Sequence, residues 1–80
     1  MTEYIATFHT HFAALCTHRA LARAGISAAL MPVPRKLSAS CGTCVRYEAD
    51  TPNLSKMDGD VELVVRVAAP DEYETLLENR

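Results

Sequence analysis

Eighty residues, 49% apolar and 22% charged, describe one small globular domain spanning 1–80 rather than a disordered chain. A chain this short buries only about two thirds of its unfolded surface, so a homodimer, a metal or a partner is a natural source of further burial. The formal charge of −2 and the absence of Trp exclude a basic, base-stacking surface for nucleic acid.

The opening "MTEYIATFHTHF" has neither the basic n-region nor the apolar h-region of a signal peptide. No stretch reaches the ~20 apolar residues of a membrane span, so a cytoplasmic chain with no membrane partner is expected. "EYIATF" alternates as a strand does, with Tyr4, Ala6 and Phe8 on one face and Ile5 and Thr7 on the other. "HTHFAALCTHRALARAG" then reads as a helix. Thr10 is its N-cap, and Ala14, His18, Leu21 and Ala22, with Leu15 beside them, form the docking face. Gly25 supplies the left-handed stop.

Ile26 to Met31 is a compact apolar run, read as a buried second strand that ends or meets a sheet edge at Pro32 and Pro34. Strand, helix and strand joined this tightly predict a parallel β-α-β unit. "RKLSAS" is a loop or single turn, and "TCVRYEA" is a third strand. "DTPNLSKMDGD" is a polar connection with room for one helical turn, and "VELVVRVA" is a fourth strand. In the tail, Tyr73, Leu76 and Leu77 fit a helix opened by Pro70 and fit equally a last edge strand. Asp58, Asp60 and Glu62 read as a solvated turn and strand edge, with no carboxylate pair for acid–base work.

The chemistry sits in "SCGTC". Three cysteines are an odd number, which argues against a disulfide-stapled scaffold. In a reducing compartment a Cys-x-x-Cys pair handles redox chemistry, sulfur or metal. A thiol acts as its thiolate, and Arg35, Lys36 and Arg46 are close enough in sequence to favour one. The amides of Ser38 to Gly42 can form an anion-binding concavity, because Gly42 has no side chain in the way. On this reading Cys41 stands exposed on the loop and carries sulfur or selenium. Cys44, nearer the core, resolves the adduct by attack and closes a disulfide. If the loop folds over the helix start, His9 can assist proton transfer.

Three rival readings stand beside this one. The cysteines can be two inert buried hydrophobes. They can be ligands of a structural zinc, with Cys41 and Cys44 joined by Cys16, His9, His11 or His18, or by a second chain in a dimer. They can form a redox sensor that switches through a reversible disulfide. An iron–sulfur cluster needs four thiolates, and the chain has three cysteines.

From Tyr4 to Ala49 the chain resembles a family of small bacterial proteins classed as selenium/sulfur carrier-like. The shared features are a "TFHT"-type strand and turn, an Ala-rich helix, a Gly-Ile boundary, "PVPR" and a serine-rich approach to "SCG". The resemblance implies that Pro34 and Arg35 shape the loop, that Cys41 is the carrier thiol and that Gly42 is its neighbour. It implies donor and acceptor proteins for sulfur or selenium, no cofactor of its own, and a carrier rather than an autonomous enzyme. The family's longer second helix has no room in "DTPNLSKMDGD". The expected fold is therefore α+β and ferredoxin-like-related: β-α-β-β-β(-β), with four to five strands and one long helix on one face. The tail then reads as the last strand.

Overall fold

The computed structural model describes residues 1–79. In chain order it has β1 (Thr2–Phe8), α1 (His11–Arg23), β2 (Ser27–Pro32), β3 (Thr43–Ala49), a 3-10 turn (Leu54–Lys56), β4 (Val61–Ala69) and β5 (Glu72–Glu78). The strands form one sheet in the order β2-β3-β1-β4-β5. Every neighbouring pair is antiparallel. The α+β class, the single helix and the strand reading of the tail all hold.

The β-α-β expectation holds in direction and fails in adjacency. Both β1 and β2 run antiparallel to β3, so they are parallel to each other with β3 between them. The helical crossover spans two strand spacings, ~10 Å, and the next strand fills the gap. β2 consequently lies at the sheet edge and is only partly buried, whereas its apolar run predicted a buried strand. An edge position tolerates Pro32, which lacks a ladder donor.

Helix α1 starts where Thr10 accepts the Ala13 amide at 3.1 Å, and Gly25 adopts φ +78° just past its end. Its inner face is Ala13, Ala14, Thr17 and Leu21, rotated from the predicted one, and Leu15 points outward. The rotation follows from Thr17, whose hydroxyl accepts the Asp58 amide at 2.9 Å and so ties the helix to the β4 approach. His18 lies at the margin, its Nε2 donating to the Ala28 carbonyl at 3.1 Å.

The helix covers one apolar cluster, built on Tyr4, Ala6, Phe8, Leu21, Val45, Tyr47 and Val64. The alternate residues of the same strands make a second cluster on the far face: Ile5, Cys44, Leu63 and Val65. Among the described residues no helix covers that face. The loop from Val33 to Gly42 crosses it instead and inserts Leu37 among those side chains. Because the far face needs a cover, the loop that carries Cys41 is held against the sheet. None of the described helices is long and apolar enough to cross a membrane.

Candidate functional site

The covering loop ends at one corner of the sheet, where β1 stops, α1 starts, and β3 and β4 begin. Cys41 sits at this corner, half-buried, and its Sγ donates to the Thr43 carbonyl at 3.4 Å. Gly42 takes φ +74°, a conformation that side chains resist, and a Cβ there would touch nothing. Glycine is thus required for the backbone angle, not for space. The Gly42 carbonyl accepts the Val33 amide at 3.2 Å, which closes the loop.

Cys44 is fully buried, and its Sγ donates to the Pro32 carbonyl at 3.7 Å. Burial pushes this thiol up to about 11, and the neighbouring Cys41 adds to the rise. The two sulfurs of the pair therefore differ: one is partly open to water, the other sealed and held protonated. Opposite Cys44 in the ladder stands Thr7, fully buried, whose hydroxyl has no hydrogen-bond partner among the described residues.

The predicted cations are not gathered around the cysteines. Lys36 reaches the β4–β5 turn and donates to the Asp71 carbonyl at 3.0 Å. Arg46 pairs with Glu3, and Arg35 is exposed. The Pro34 carbonyl accepts the Leu37 amide at 3.0 Å. The charged group that does hold the cysteine loop is Glu62. This residue is 7% exposed, not a solvated strand edge. Its carboxylate accepts from the Ser40 amide at 3.2 Å and the Ser40 hydroxyl at 3.1 Å. Of the amides expected to line an anion-binding concavity, that of Ser40 is taken by the protein's own Glu62.

His9 joins this arrangement from behind. Its Nε2 donates to the Asn79 carbonyl at 3.0 Å, and its Nδ1 faces Glu62 Oε2 at 3.7 Å. The loop does come to the helix start, and it meets His9 through Glu62 and Ser40. His11 Nδ1 lies 3.2 Å from the Thr43 hydroxyl, between the two cysteines.

Sequence reasoning missed Glu62 and Thr43 as parts of this corner, and had Ser40 only as a loop amide and His11 only as a metal ligand. The available signal was a lone Glu in the β-branched run "VELVV". A register shift where Phe8 pairs with Val61 puts Glu62 on the loop side, and no local pattern announces such a bulge. Among the described residues no three His, Cys, Asp or Glu side chains converge as metal ligands. Cys16 lies half-buried on α1.

Residues 3–58 match the model of the family described as "Putative Se/S carrier protein-like", and the chain belongs to that family. The match covers more than two thirds of the chain, from β1 through the 3-10 turn, and includes all three cysteines. It stops short of β4, which supplies Glu62. No curated protein and no solved structure matches the chain.

Proposed function

We propose that this member of the carrier-like family transports sulfur or selenium on Cys41, with Cys44 as the resolving thiol. The observation that carries the reading is the contrast within the pair: Cys41 is half-buried and Cys44 is sealed with its thiol raised to about 11. Loading is a transfer between thiols. The Cys41 thiolate attacks the outer sulfur of a donor persulfide, the donor's S–S bond breaks, and the donor leaves as a thiolate that takes up a proton. Cys41 then holds a persulfide, or a selenosulfide when the cargo is selenium.

Unloading has two routes. An acceptor thiolate can take the outer sulfur by the same displacement. Alternatively, the Cys44 thiolate attacks the Cys41 sulfur, hydrosulfide departs, and a Cys41–Cys44 disulfide remains. The pair is oxidised by two electrons and the outer sulfur is reduced to sulfide, so a cellular dithiol must restore the thiols. A thiol near 11 is ionised to only about one part in ten thousand at pH 7, so a closed loop keeps Cys44 from discharging the cargo early. A reducing compartment such as the cytoplasm, with donor and acceptor proteins, suits this cycle.

Intact-mass analysis after exposure to a persulfide donor should show the gain of one sulfur. Cys41→Ser should abolish that gain, and Cys44→Ser should keep it and prolong its lifetime. Full loading of Cys41→Ser would remove the assigned thiol.

A further inference from the structure

The outward face of α1 has a composition that its place in the fold does not explain. Phe12 is 73% exposed and Leu15 is 40% exposed, among the few large apolar side chains left in water. Phe12, Cys16, Arg19 and Arg23 recur at helical spacing, with Leu15 beside them, opposite the buried Ala13, Ala14, Thr17 and Leu21. The helix contains no Asp or Glu, although the chain as a whole is acidic. The acids lie elsewhere, with Asp71, Glu72, Glu74 and Glu78 collected on the β4–β5 hairpin. A solvated helix face ordinarily mixes both signs and keeps phenylalanine out of water.

The stripe also has a direction. Its apolar end is the first turn of α1, where His11 touches Thr43 of the cysteine loop at 3.2 Å. Its cationic end, Arg19 and Arg23, points away from the sulfur. A partner laid along this face would meet apolar anchors at the end of α1 that touches the cysteine loop through His11 and Thr43, and two arginines toward the other end.

We infer that this face of α1 is the docking surface for the persulfide donor, a protein whose loaded cysteine stands in an apolar cleft with an acidic rim. The inference rests on the carrier reading above. Phe12 and Leu15 fill the cleft, and Arg19 and Arg23 meet the rim, which sets the orientation and speeds encounter at low salt. The charge pattern favours an acidic protein: a basic partner would be repelled, and a small-molecule donor would need no such face.

The test compares two sulfur sources on the full chain: sodium tetrasulfide, which needs no docking, and a purified cysteine desulfurase supplied with cysteine. Phe12→Ser and the pair Arg19→Glu with Arg23→Glu change exposed side chains and should leave the melting temperature within a few degrees. Each variant should load Cys41 from tetrasulfide at the wild-type rate. Each should load from the desulfurase at least tenfold more slowly, and added salt should slow the wild type toward the arginine variant. Equal desulfurase loading by all three proteins overturns the docking surface and leaves the carrier reading standing. Wild-type loading from tetrasulfide but not from the desulfurase also overturns it. A stripe that holds the wild type as a dimer, released by Phe12→Ser, assigns the face to a second copy and overturns the donor. Failure of tetrasulfide to load Cys41 removes the carrier reading itself.

Discussion

Two buried polar side chains at this corner have opposite standing. The Glu62 carboxylate accepts two hydrogen bonds from Ser40, the residue before the proposed carrier thiol. Hydrogen bonds to a charged acceptor are the stronger kind, so Glu62→Ala should lower the unfolding free energy by about 2 kcal/mol. It should also speed alkylation of Cys44 by loosening the loop above it, which peptide mapping would detect. The Thr7 hydroxyl, by contrast, is buried with no partner among the described residues. Thr7→Val keeps the shape and removes the unpaired group, so urea denaturation should show a gain of about 1 kcal/mol. Cys44 sets a third expectation. Its folded thiol is raised to about 11, above its unfolded value, so its stabilising effect is complete below the unfolded value and fades as pH climbs toward 11. Stability should fall more steeply above pH 9 in the wild type than in Cys44→Ala, by up to about 1.4 kcal/mol per pH unit.

At the level of elements, the loop from Val33 to Gly42 does what a second helix would do elsewhere: it covers the far face of the sheet. Leu37 is its plug, and Gly42 is the turn that brings the chain back into β3. Gly42→Ala forces a Cβ into a left-handed conformation and should cost about 1–2 kcal/mol, read as a lower urea midpoint. The strands and the helix were legible because their signals are local: alternation in "EYIATF", Thr10 before the helix, Gly25 after it. Strand order was not legible, because the position of β3 between β1 and β2 depends on pairing across the chain. The helix face was misjudged by one position toward the C-terminus because Thr17 is polar and its burial depends on the Asp58 amide. Of the site, Cys41, Gly42 and Cys44 stood out by type and spacing. Glu62 did not, since a bulge chooses its side of the sheet.

On the scale of the whole molecule, the fold gathers the candidate site residues at one corner and separates its charges. The helix is cationic on its outer side, the β4–β5 hairpin is acidic, and the cysteine loop meets the helix at its first turn. Sequence-near cations are a poor guide to this arrangement: Lys36 reaches Asp71 and Arg46 reaches Glu3. The account depends most on the unequal accessibility of two sulfurs separated by two residues. Timed alkylation of the native protein near neutral pH, followed by peptide mapping, measures that inequality directly. Cys41 should be modified early and Cys44 only after the loop opens or the protein unfolds. Modification of Cys44 as fast as Cys41 in the folded chain would contradict the account.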